Sequence, residues 1–148
     1  CFFCYCAGKK LSQLEEDMRE YGGQMREHKM MLQLHFLELT WQTVLILMGK
    51  EKSLTLLSGS VMDQEEMLKT ADNEKNAPLR SQVQCHRLQL AVFFGDFTLA
   101  GKLVGAASNI ARVNPGNPII WRTELFAGIT AFHLFTKKKN RWKSGGDS

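Results

Sequence analysis

The sequence predicts an all-α protein, antiparallel helical hairpins stacked as a right-handed superhelix, and three observations predict it. Gly8-Lys9-Lys10-Leu11, Gly49-Lys50-Glu51 and Gly95-Asp96-Phe97-Thr98-Leu99-Ala100 recur at intervals of 41 and 46 residues, each closing an apolar stretch. Glycine enters the left-handed conformation that ends a helix without the clash a Cβ would bring, so this rhythm marks repeated helix ends. Apolar residues recur elsewhere at alternating spacings of three and four, and no run alternates with period two, so no strand is expected. Two long segments are apolar on two faces, the pattern of helices enclosed by neighbours on both sides.

Cys1 to Ala7 reads as the end of a helix stopped at Gly8. Ser12-Gln13-Leu14-Glu15 has the form of a capping box, and Leu11, Leu14, Met18, Tyr21 and Met25 form one apolar stripe behind it. Gly22-Gly23 lowers helix propensity by about 1 kcal/mol per glycine relative to alanine, and a kink is expected there. From Lys29 to Met48 one stripe (Leu34, Leu37, Trp41, Val44, Met48) is joined by a second (Leu32, Phe36, Leu39, Ile46), which marks an inner helix ended by Gly49. Lys50 to Met62 is an irregular connection with a turn at Ser58-Gly59-Ser60. Asp63 then caps a short, mostly polar outer helix that has only Met67, Leu68 and Ala71 to bury. Asn76-Ala77-Pro78 opens a second two-faced helix, closed by Gly95. Asp96 caps the following helix, over residues 98–112, where Gly101 and Gly105 flatten the surface for close approach. Asn114-Pro115-Gly116-Asn117-Pro118 breaks the chain, and a last helix runs from Pro118 to Thr136 with Trp121, Leu125, Phe126, Ile129, Phe132 and Phe135, and Gly128 as a contact point.

At 148 residues and 44% hydrophobic, the chain suits one domain with a real core. Its net charge of +4 belongs to the end: Lys137, Lys138, Lys139, Arg141 and Lys143 stand against Asp147, while the remaining 136 residues balance. The body therefore has no basic field to steer polyanions. Residues 1–136 are accordingly expected to form the helical-repeat domain and 137–148 a flexible basic tail. Cys1, Cys4 and Cys6 crowd among aromatics and Cys85 stands alone, a usage that suits reduced thiols in the cytoplasm better than a disulfide framework. No apolar stretch reaches the roughly 20 residues that a bilayer requires. The chain opens without methionine inside what reads as a helix, so a segment of a longer protein is expected.

Gly95-Asp96-Phe97-Thr98-Leu99-Ala100 resembles the hairpin turn of tetratricopeptide-like repeats. More widely, Trp41 to Gly49, Leu57-Ser58-Gly59, Met62 to Leu68 and Phe93 to Phe97, in that order and spacing, resemble the helical region of large multidomain signalling ATPases. In that family an AAA/STAND-type ATPase domain with a kinase-like or other input module precedes a long helical-repeat region, and a nucleotidyl cyclase or histidine kinase can follow. The resemblance covers roughly residues 8–143 and implies a non-catalytic scaffold that binds a protein, a peptide or neighbouring domains of its own chain. No phosphate-binding loop, kinase signature or cyclase metal site is present, so no catalytic residue and no cofactor is implied. From residue 137 lysines stand where the repeat rule calls for a glycine turn.

Other constellations carry less. Cys1, Cys4 and Cys6 have metal-like spacing but lack a second arm of ligands. His28 and His35 could share a helical face near Glu27 and Glu38, yet no third ligand is evident. Cys85 and His86 are adjacent on a helix and so point about 100° apart, which is core packing rather than a thiolate and its base. The segment Lys137, Lys138, Lys139, Arg141, Trp142, Lys143 supplies the alternative from another class, a module for nucleic acid or an anionic membrane that combines charge with one stacking ring. A single short patch is weak once salt screens it, so protein remains the expected partner.

Overall fold

The computed structural model describes the backbone of residues 1–144 and the side chains of residues 1–139. The chain is all-helical, with no strand among the described residues. Its elements are α1 (Phe2–Cys6), α2 (Leu11–Glu27), α3 (Met31–Leu47), α4 (Gln64–Asn73), α5 (Ala77–Phe93), α6 (Phe97–Ala107), α7 (Ile110–Val113) and α8 (Ile119–Ser144).

One device ends each of the first five helices. The amide of the second residue past the helix cap donates back five positions, from Lys9 to Cys4, Met30 to Met25, Lys50 to Leu45, Asn76 to Ala71 and Asp96 to Ala91, at 2.7–3.0 Å. This bond requires a left-handed residue before it. Gly8, Gly49 and Gly95 supply it with φ of 78°, 70° and 75°, as the glycine rhythm predicts. Lys29 (φ 55°) and Lys75 (φ 52°) supply it at the other two ends, where no glycine announces it.

These turns fold the chain back on itself. In the α2–α3 hairpin, Arg26 pairs with Glu38 at 3.0 Å, Gly22 lies under Trp41, and Lys50 lies 3.6 Å from Glu15, so the helices run antiparallel. Asp72 and Arg80 bridge the α4–α5 turn. Between α5 and α6 the Cys85 thiol lies 3.9 Å from the Ala107 carbonyl, far from the Gly95 turn, which again requires antiparallel helices. Helix α8 then runs parallel to α5: Gln89 accepts from Arg122, and the Phe93 and Phe126 rings meet edge to face at 5.3 Å. Three apolar clusters follow this order, centred on α2/α3, on α3/α4/α5 and on α5/α6/α8.

The local expectations are largely met, with informative exceptions. Asp63 accepts from the amides of Glu65 and Glu66, and Asp96 from that of Leu99. The capping box at Ser12 does not form: α2 starts at Leu11 with no side-chain cap, because Glu15 is buried and its carboxylate is taken by Arg19 at 2.6 Å and by Lys50. Helix α2 passes unbroken through Gly22-Gly23, since the missing Cβ at Gly22 is the space that the Trp41 ring fills. The segment 98–112 is two helices, α6 and α7, separated at Ser108 and Asn109. Gly101 does allow approach, its Cβ position lying 3.1 Å from Leu134, whereas Gly105 faces open space. The last helix does not stop at Thr136 but continues through the lysines to Ser144; residues 145–148 of the expected tail lie outside the described residues.

Candidate functional site

Side chains of helix α1 pack against α2, α3, α5 and α8, and the contacts that seat it define the candidate site. Phe2 packs on the α5/α6/α8 core, while Cys1 and Tyr5 pack on the α2/α3 core. Arg122, reaching back from α8, sets its guanidinium 4.6 Å from the Tyr5 ring centre and 5.5 Å from that of Phe2. The same guanidinium donates to Gln89 and lies 3.4 Å from the Cys6 sulfur; Gln89 in turn donates to the Tyr5 hydroxyl. A guanidinium is weakly hydrated and planar, so it stacks on rings and donates in plane at once.

Behind this arrangement the buried His86 bonds through Nδ1 to Thr43 Oγ1 at 3.0 Å. The Thr43 hydroxyl already donates to the Leu39 carbonyl at 2.8 Å, so it accepts from His86, whose Nδ1 carries the proton. Nε2 is left buried without a partner. Burial first, and the Arg122 charge second, push the His86 pKa down to about 3, so the ring is neutral. Burial pushes the neighbouring Cys85 thiol up to about 11. A protonated thiol directed at Ala107 and a neutral imidazole directed at Thr43 make no nucleophile and base, in agreement with the divergent directions of adjacent helical residues.

Two clefts flank α1 and meet at Phe2, Phe36 and Thr40. One, of about 520 Å³, runs between α1, α2 and the start of α3, past Tyr21, Met25 and the Lys9–Asp17 ion pair. The other, of about 450 Å³, is walled by Leu32, Phe36 and Phe3 on one side and by the amides of Asn76, Gln82 and Asn114 on the other. Apolar surface interrupted by a few polar side chains is the composition of a surface that receives a chain segment.

The sequence candidates fall elsewhere. Gly8, Gly49, Gly95, Asp96, Phe97 and Ala100 all serve the turns and helix starts, with Ala100 buried and Phe97 stacked on His133 at 3.7 Å. Cys4 and Cys6 are exposed, and among the described residues no group of three or more His, Cys, Asp or Glu side chains is placed to hold a metal ion. Lys137, Lys138 and Lys139 are exposed on α8; the side chains of Arg141, Trp142 and Lys143 lie outside the described residues. No helix among the described residues is long and apolar enough to cross a membrane. The Arg122–Gln89–Tyr5 linkage is absent from the sequence reading. Its one visible sign is a lone arginine inside the longest apolar stretch, Ile119 to Phe135. Comparison with protein-family models, with curated proteins and with solved structures finds no match.

Proposed function

We propose that this chain is a non-catalytic helical-repeat scaffold of the tetratricopeptide-like, right-handed superhelical kind, acting in the cytoplasm as a regulatory region of a multidomain signalling ATPase. It works by holding a protein, a peptide or a neighbouring domain of the same chain. The supporting observation is the seat of α1: a short aromatic helix packs its side chains on α2, α3, α5 and α8, with clefts of about 520 and 450 Å³ beside it that give a bound segment room to extend. The all-helical hairpins and their left-handed turns fit such a stack, and the signalling assignment rests on the sequence resemblance.

Peptides selected from a random display library against the purified chain test this reading, with their sites mapped by amide chemical shifts. The expected perturbations centre on Leu32, Phe36, Gln82 and Asn114. The reading fails if the chain hydrolyses ATP or forms cyclic nucleotide clearly above a mock preparation. It also fails if the dominant ligand is RNA or anionic lipid, bound in a salt-sensitive way that is lost on removing the residues after Thr136. That outcome would transfer the function to the basic segment, 137–143.

A further inference from the structure

Helix α8 is apolar on two opposite faces, and only one of them is covered. Ile119, Thr123, Phe126 and Thr130 are buried against α5 and α6. Trp121, Leu125, Phe132 and Phe135 are 78%, 58%, 74% and 68% exposed, and a Cβ placed on Gly128 would meet nothing within 4 Å. At helical spacing these five residues share a sector of about 80° that holds no charged residue between Trp121 and Phe135; Lys139, one turn beyond Phe135, ends the strip. Single exposed apolar residues are ordinary, but a continuous strip of three aromatics and a leucine marks a surface that another molecule covers.

The order of residues along the strip identifies the partner. Trp121 and Phe135 stand seven residues before and after Gly128, and Leu125 and Phe132 stand three before and four after it. A second α8 laid antiparallel and crossing at Gly128 therefore meets the first with the same sequence of bulk: Trp121 against Phe135 at both ends, Leu125 and Phe132 interleaved, and two glycines at the crossing where the backbones come closest. Such a two-fold contact is complementary to itself. The exposed fractions of these side chains offer on the order of 500 Å² per copy, hence at most about 1,000 Å² for the pair, the size of a weak, reversible contact. We infer that the chain forms a symmetric homodimer through the outer face of α8, with its two-fold axis at Gly128.

Sedimentation equilibrium of the intact chain from about 5 to about 500 µM, the range in which a weak dimer assembles, tests this. The expected result is a reversible monomer–dimer equilibrium for the wild type. Phe132→Glu, at a position that supports no core contact, should weaken it at least tenfold while leaving the helical circular dichroism unchanged. Geometry is checked separately: with Cys1, Cys4 and Cys6 changed to Ser, Gly128→Cys should form an intermolecular disulfide under mild oxidation, and Glu66→Cys on α4 should not. A wild type that stays monomeric at the highest concentration would overturn the inference, as would a dimer indifferent to Phe132→Glu or cross-linking equally from either position.

Discussion

At the scale of single residues, the most consequential group is one the sequence reading dismissed as packing. His86 is packing, but it also ties α5 to α3 through Thr43 and lies beneath the residues that hold α1. With its pKa lowered from 6.5 to about 3 in the folded state, the unfolded chain takes up a proton below pH 6.5 that the folded chain refuses. Stability must therefore fall as pH drops from 6.5, with a limiting slope of about 1.4 kcal/mol per unit. Glu15 and Glu51, held low by Arg19 and by Ser60, add a loss in the same direction only as pH approaches 4.5. Urea denaturation at pH 7.0, 6.0 and 5.0 should show this slope in the wild type and a much flatter one in His86→Leu. An equal slope in both would remove His86 as its source. Thr43→Val leaves the imidazole donor without an acceptor and should cost about 1–3 kcal/mol at pH 7, measured in the same way. The Thr43–His86 pairing was not legible in the sequence, because it joins residues 43 positions apart and sequence periodicity reports only which face is buried. The left-handed ends were legible where the residue was glycine and hidden where it was Lys29 or Lys75. These two lysines carry a backbone cost that glycine avoids, so Lys75→Gly should raise the urea midpoint by the equivalent of about 1 kcal/mol, and Gly95→Ala should lower it by at least as much.

At the scale of the element, neighbours decided where local signals and structure diverged. The two adjacent glycines of α2 show the distinction. Gly23 faces open space, so Gly23→Ala should stabilise the helix by about 1 kcal/mol through propensity alone. At Gly22 an added Cβ would stand 3.0 Å from the Trp41 ring, so Gly22→Val should destabilise by about 1–3 kcal/mol through overpacking. Thermal unfolding of the two variants should move in opposite directions; movement together would mean that α2 and α3 do not meet at this point. The sequence named both glycines as a weak point without separating them, since the partner ring lies on another helix. The box at Ser12 failed for a related reason, because a buried carboxylate between two cations has no reason to return to its own helix start. In α8 the apolar spacing indicated a helix, in which Gly128, expected as a contact point, faces open space, but that spacing could not show which face this chain covers. That information resides in the contacts of Phe126 with Phe93 and of Leu134 with Gly101.

At the scale of the whole molecule, helical content, the glycine-marked turns and the two enclosed helices α3 and α5 could be read from the sequence, the last because burial on both faces leaves a double stripe. The seating of α1 could not, since it depends on one arginine closing over rings 117 and 120 positions earlier in the chain. Removing that closure should free the cleft without unfolding the stack: Arg122→Ala is expected to raise amide exchange across residues 2–6 while leaving α5 and α6 protected. Uniform loss of protection would instead make Arg122 part of the common core. The proposition beneath all of this is that α5 pairs antiparallel with α6 and parallel with α8, so that each helix is stabilised by the next. Side-chain nuclear Overhauser contacts in the wild-type chain test it most directly. The structure predicts cross-peaks between the Phe93 and Phe126 rings and between Cys85 and Ala107. Their absence, or cross-peaks from Phe93 to Ile119 in their place, would contradict it.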